Sequence, residues 1–218
     1  TTLSDAYNLA NTTPNIVYEL ILGGILSATL VPIFVDHLEH DDDEGTSTVV
    51  TVAVVCLAVL TVVAMLAAPL IIHIYALRLP ADDAAAQAEV AVPLLRLFLP
   101  QIFFYGLMSL GTALLNARRS FFAPAYAPIL NNIVVIGVLV AFATVAGNSP
   151  DLGQVHDDTA LLLLLGIGTT AGIVVMTAAL WPAIRRAGIH VRFRFDVRNR
   201  SVRKVAGHTE GARGEGYM

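Results

Sequence analysis

The sequence predicts an all-α protein, a polytopic transmembrane helix bundle of about five spanning helices. Three observations predict it. Hydrophobic residues make up 56% of the 218-residue chain and charged residues only 14%, against about 25% charged in an ordinary soluble domain. Residues 45–77, 120–150, 159–184 and 97–117 contain no Asp, Glu, Lys or Arg, and each is long enough to cross a hydrocarbon core that takes about 20 apolar residues as helix. The segments between these runs are short and polar, which makes successive helices antiparallel neighbours. A soluble enzyme, a nucleic-acid binder and a disulfide scaffold are excluded. The single cysteine, Cys56, lies inside an apolar run and reads as a small buried hydrophobe.

The first helix is expected at 15–38. Only 20–35 is free of charge, slightly short of a span, so Glu19 sits near one end or faces a polar interior. The second, 47–76, is long enough to tilt or project, with Pro69 placed to kink it. The third, 92–117, has Arg96 near its start and Pro100 one turn later. The fourth and fifth are expected at 125–146 and 159–187. Between them lie an acidic loop at 36–46, a candidate interfacial helix at 79–89, a basic turn at 118–122 and a polar loop at 147–158. At 188–205, Ile189, Val191, Phe193, Phe195 and Val197 alternate with His190, Arg192, Arg194, Asp196 and Arg198. That period of two marks a basic amphipathic stretch on the cytoplasmic membrane surface. Residues 206–218 are glycine-rich without apolar periodicity and read as an unstructured tail. With no initiator Met and no signal peptide, the chain is expected to begin partway into a longer protein.

Lys and Arg, rather than net charge, set the orientation. Eight of the 13 such residues fall between Arg185 and Lys204, so that end of the fifth helix is cytoplasmic. Counting back, 147–158 is outside, Arg118 and Arg119 are inside, 79–89 is outside and 36–46 is inside. The acidic loop is a partial misfit, but acidic residues weigh little in the rule.

The functional signal lies in polar residues set among apolar ones. Asp5, Asn8, Asn11, Asn15 and Glu19 recur every three or four residues, so on one helix they share a face, and a water-filled cavity is the expected neighbour of that face. Arg96 and Gln101 fall in the first turns of the third helix. Asn131 and Asn132, in the fourth, either hydrogen-bond between helices or line the cavity. Gly166, Gly168 and Gly172 suit close helix packing. His73, alone in an apolar helix, reads as a hydrogen-bonded packing residue before a proton carrier. His37 to Glu44 is rich in His, Asp and Glu, but it lacks the spacing of a calcium loop and reads as a solvated acidic loop before a metal site. No nucleophile motif occurs, and neither enzyme chemistry, cofactor nor metal is expected.

Asp5-Ala6-Tyr7, Pro14-Asn15 and the run from Gly23-Gly24 through Ser27 to Val31-Pro32 resemble the second helix of MurJ/MviN lipid II flippases. Pro100-Gln101, Asn116-Ala117-Arg118 and Ala123-Pro124-Ala125-Tyr126-Ala127-Pro128 through Asn131-Asn132 resemble their fourth and fifth helices, and the Arg-rich usage is actinobacterial-like. The resemblance implies a multi-pass protein of the bacterial inner membrane in the multidrug/oligosaccharidyl-lipid/polysaccharide exporter superfamily, two-lobed around a cationic cavity. It further implies that 1–205 is part of the first lobe, acting on a lipid-linked peptidoglycan precursor together with the remaining helices of the transporter. The expected cavity residues are Asp5, Asn8, Asn15, Glu19, Arg96, Asn131 and Asn132. Tyr18 and Gly23 depart from the family's usual Arg and Glu. With the first helix and the second lobe outside this chain, the expectation is a fragment inactive alone. The alternatives are an exporter of polysaccharide-linked lipid and a non-transporting scaffold for cell-wall enzymes. The expected partners are membrane lipid and the precursor, not nucleic acid.

Overall fold

A computed structural model describes residues 7–8, 10–12, 14, 16, 27–40, 42–76, 91–147 and 158–193. The described residues are helical apart from turns and one extended segment, 189–193. The helices are α1 (Ser27–Glu39), α2 (Asp43–Ala76), α3 (Pro100–Ala117), α4 (Phe122–Ala146), α5 (Thr159–Ala178) and α6 (Leu180–Arg186). Among the described residues, four stretches are long and apolar enough to cross a membrane: Asp43–His73, Ala91–Ala117, Phe122–Ala146 and Thr159–Arg186. The fifth expected span, 15–38, is described only in part, and its second half is α1. The expected segment 79–89, the stretch 194–205 and the tail 206–218 lie outside the described residues.

Several boundaries differ from the expected ones. α2 begins at Asp43, not 47, because Asp42 caps it: its Oδ1 accepts the Gly45 N–H at 2.8 Å. Asp43 and Glu44 then occupy the first turn, where the helix dipole favours negative charge. Absence of charge marks where a span meets the bilayer, not where a helix starts. The third span is interrupted. Residues 91–98 are helical, Leu99 is a turn, and Pro100 restarts the helix at its first position. Pro100 has no N–H to donate to the turn before it. The fifth span breaks at Ala179 into α5 and α6. Asp158 caps α5 by accepting from Ala160 N at 2.9 Å and Leu161 N at 3.3 Å. By contrast, α2 runs unbroken through Pro69.

α3 is the axis of the bundle and packs against α1, α2, α5 and α6, while α4 packs chiefly on α5. Lipid offers little hydrophobic drive for helices to associate, so close van der Waals contact must hold them. Small residues supply it. A Cβ added at Gly106 would collide with the Leu57 side chain, and one at Gly168 with Val138. At Gly172 it would strike Asn131 Oδ1. The packing role read for Gly168 and Gly172 is therefore realised at the α4–α5 seam. Gly172→Leu is expected to destabilise the bundle by about 1–3 kcal/mol through overpacking. Gly137 has nothing within 4 Å of an added Cβ, so Gly137→Leu should be neutral. Unfolding of both variants in the same detergent checks the contrast.

The outer faces are apolar. Leu66 is 76% exposed, and Val59, Val62, Val63 and Leu70 lie bare beside it on α2. Ile133, Ile136 and Val140 do the same on α4. In water such surfaces would be association sites, whereas in a bilayer they face acyl chains. This also corrects the reading of Cys56, which is exposed. An apolar run across a membrane helix includes its lipid face, so hydrophobicity there does not imply burial.

Residues from α1, α3, the C-terminal part of α6 and the N-terminal half of α2 form one core, with Phe34, Val49, Leu114 and Ile189 buried in it. At that end lie Arg118, Arg119, Arg185, Arg186 and Arg192, five of the six arginines among the described residues. The extended segment is tied there. The Arg192 N–H donates to Ser47 Oγ at 3.1 Å, and the Thr51 hydroxyl to the Arg192 carbonyl at 3.5 Å. Ile189 is buried and His190 and Arg192 are exposed, in the expected alternation, but Phe193 breaks it by being 79% exposed. We predict that this end is cytoplasmic. With Cys56 replaced by Ala, an impermeant thiol reagent added outside should label a cysteine at position 149 and spare one at 120. The opposite pattern reverses the orientation.

Candidate functional site

Residues 7–16 carry the expected polar stripe, and their described positions are helical. Tyr7, Ala10 and Pro14 form the packed face. Ala10 is fully buried among Leu94, Leu95 and Phe98. The Tyr7 ring meets Phe98 edge-on at 5.4 Å, and its hydroxyl shares a 2.9 Å hydrogen bond with Thr169 Oγ1. This anchorage turns the opposite face outward, where Asn8 and Thr12 are exposed and Asn11 is half-buried. Asn8 and Thr12 are four apart and therefore neighbours on that face. Asp5, Asn15 and Glu19 lie outside the described residues.

The other candidates separate. Arg96 is exposed, while Leu94, Leu95 and Phe98 around it are buried. Asn132 is exposed on α4. Its neighbour Asn131 is half-buried, with Oδ1 against Gly172 in the α4–α5 seam. One residue is about 100° of helix, so adjacent side chains cannot share a face. Asn131 therefore joins the packing seam and does not accompany Asn132.

Gln101 was singled out from the sequence, but the cluster it joins was not. Gln101 is fully buried, and its Nε2 donates to Thr170 Oγ1 at 3.1 Å. The Thr170 hydroxyl donates onward to the Leu97 carbonyl at 2.9 Å. In an unbroken helix that carbonyl would accept from residue 101; here it sits at the break before Pro100 and takes a hydroxyl from another helix. One helical heptad further along, Thr177 Oγ1 lies 3.0 Å from the Phe104 carbonyl and 2.8 Å from its own Ile173 carbonyl. Buried polar groups in hydrocarbon must be satisfied within the protein. The available signal was hydroxyls seven apart, Thr170 and Thr177, in an otherwise apolar helix opposite a proline.

No cluster of three or more His, Cys, Asp or Glu side chains able to hold a metal occurs among the described residues. His37 is buried, its Nε2 3.9 Å from Asp42 Oδ2. His40 is exposed, and its Nδ1 meets the Asp36 carbonyl at 2.7 Å. The two rings point to different partners. That hydrogen bond, then the Asp36 carboxylate, raises the His40 pKa above 6.5. The small stability this contributes is present below 6.5 and is lost as pH rises through the raised value. His73 is exposed, unlike the packing residue expected.

Four long apolar helices and outward-facing aliphatic surfaces among the described residues define a polytopic helical membrane protein. The family described as lipid II flippase MurJ matches residues 1–210. The chain belongs to that family, and it is a multi-pass protein of the bacterial inner membrane. It is 29% identical over 196 residues to a probable lipid II flippase MurJ of Rhizobium meliloti, covering 88% of this chain and 35% of that protein. The lipid II flippase MurJ of Burkholderia cenocepacia is 33% identical over 144 residues, 64% of this chain and 28% of that one. The probable lipid II flippase MurJ of Haemophilus influenzae is 24% identical over 211 residues, with 93% and 39% covered. The chain thus spans roughly a third of the length of these relatives.

Proposed function

We propose that this chain is the first-lobe portion of a lipid II flippase that moves lipid-linked peptidoglycan precursor across the membrane by alternating access. The observation that carries the reading is the outward face of Asn8 and Thr12, held out by the Tyr7–Thr169 anchor in a chain matched to this family along most of its length. A polar helix face is costly against lipid, so it needs a hydrated cavity or a protein partner. In this reading Asp5, Asn8, Asn15, Glu19 and Arg96 face that cavity, and the rest of the transporter closes it, while Asn132 lies one turn before Ile136 on the aliphatic face of α4. Asn131 instead holds the wall. Two lobes rocking around a shared site expose it to one leaflet and then the other. Alone, the chain does not transport.

The test is a chimera in which residues 1–205 replace the matching part of a curated relative. It should sustain growth and precursor export in cells depleted of their own flippase. Failure of a chimera that reaches the membrane at normal levels, or rescue only of a polysaccharide-lipid export defect, refutes the proposal.

A further inference from the structure

An open groove of about 470 Å³ lies between α2, α3, α5 and α6 at the basic end of the bundle, within the size range of small-molecule sites. Its walls are apolar and include Phe104, Leu110, Leu114, Val174 and Ala178. The one hydroxyl among its lining residues, Thr177, is already committed to the Phe104 and Ile173 carbonyls, so only its methyl remains for a guest. Gly111 keeps the floor low, since an added Cβ would lie 3.0 Å from Leu180 Cδ1.

The groove does not end blindly. Trp181, Ile184 and Val191 also line a second cleft of about 390 Å³, which adds Arg185, His190 and Arg192. The Arg185 guanidinium stands 5.0 Å over the Trp181 ring, an arrangement suited to the boundary between hydrocarbon and water. The backbone of Arg192 is pinned to Ser47, which fixes the segment forming the mouth while leaving its side chain exposed. An apolar slot that runs into a basic mouth at a membrane surface is complementary to an amphiphile with an anionic head.

We propose that the joined cleft binds one anionic glycerophospholipid, with an acyl chain lying along Phe104, Val174 and Ala178 and the phosphodiester against Arg185 and Arg192. Charge selects this occupant over a polyprenyl pyrophosphate. Asp43 and Glu44 line the adjoining cleft with His190 and Arg192 and offset part of the positive charge. Among the described residues, what remains suits a single negative charge better than a pyrophosphate, which calls for several paired donors. The proposal rests on the membrane-spanning bundle and not on the flippase reading, so either can fail without the other.

The experiment uses the 218-residue chain in detergent, exposed separately to phosphatidylglycerol and phosphatidylcholine, with retained lipid counted by native mass spectrometry. One phosphatidylglycerol should be retained in clear preference to phosphatidylcholine. The double variant Arg185→Gln, Arg192→Gln should weaken phosphatidylglycerol retention roughly thirtyfold, two arginines' worth at a membrane surface, and leave phosphatidylcholine unchanged. Ala178→Trp, which fills the slot from an exposed position, should abolish retention while circular dichroism reports the same helix content. A photo-crosslinking residue at Val174, introduced in cells, should capture phospholipid. Equal retention of both lipids by the unmodified chain overturns the proposal. So does indifference to the arginines, tighter retention of a polyprenyl pyrophosphate, or capture of polypeptide at Val174.

Discussion

Asp5→Ala in the chimera is expected to abolish rescue of flippase-depleted cells, leaving growth no better than with an empty vector. Asp5 stands one helical turn before Asn8 in the sequence, and Asn8 is on the outward face. A carboxylate in that position can pair with cavity cations and bias the opening of the lobes, which a methyl group cannot do. The competing role is plain capping of a helix N-terminus, where Asn serves as well as Asp. Asp5→Asn separates the two. If the charge matters, Asn fails like Ala; if capping is the whole role, Asn restores growth. Membrane levels of each variant must match the parent, because lost insertion would mimic lost function.

The existence and order of the helices were legible because bilayer thickness is a strict length filter. The charge-free runs at 45–77, 97–117, 120–150 and 159–184 sit on the four spans. The ends were less legible. Asp42 and Asp43 looked like loop, yet one caps α2 and the other belongs to its first turn. The Leu99 and Ala179 breaks lie inside apolar runs, where periodicity carries no mark of them. Burial was the least legible property, since hydrophobic pattern cannot tell a lipid face from a core. That is why Cys56 was misplaced, and why the partners of Gln101, the Thr170 hydroxyl and through it the Leu97 carbonyl, were not readable. For the candidate site, Asn8 and Asn11 were readable from the stripe, but the exposed Thr12 was not part of it and Asn11 is half-buried. What fixed the outward direction was the packing of Tyr7, Ala10 and Pro14, which only tertiary contact supplies.

The second large effect is an absence. Reconstituted by itself in liposomes, the 218-residue chain is expected to move no lipid II above a scrambled helical control. Alternating access needs two bundles that rock about one site, and the described helices form one group around α3. Most of its described arginines gather at the basic end, with only Arg96 elsewhere. Among the described residues, one guanidinium away from that end is too little to hold a pyrophosphate by paired, charge-assisted hydrogen bonds. Protein-dependent appearance of labelled headgroup on the far leaflet would refute the prediction.

The central claim is that the outward polar face of residues 7–16 borders the path of a lipid-linked precursor. The most direct measurement places a photo-crosslinking residue at Asn8 or at Ile136 in the chimera, with lipid II labelled on its headgroup. Asn8 is exposed on the polar face, and Ile136 is 61% exposed on the aliphatic surface of α4. The account predicts headgroup label covalently attached at position 8 and none above background at 136. Equal labelling at the two positions, or labelling at 136 alone, would contradict it.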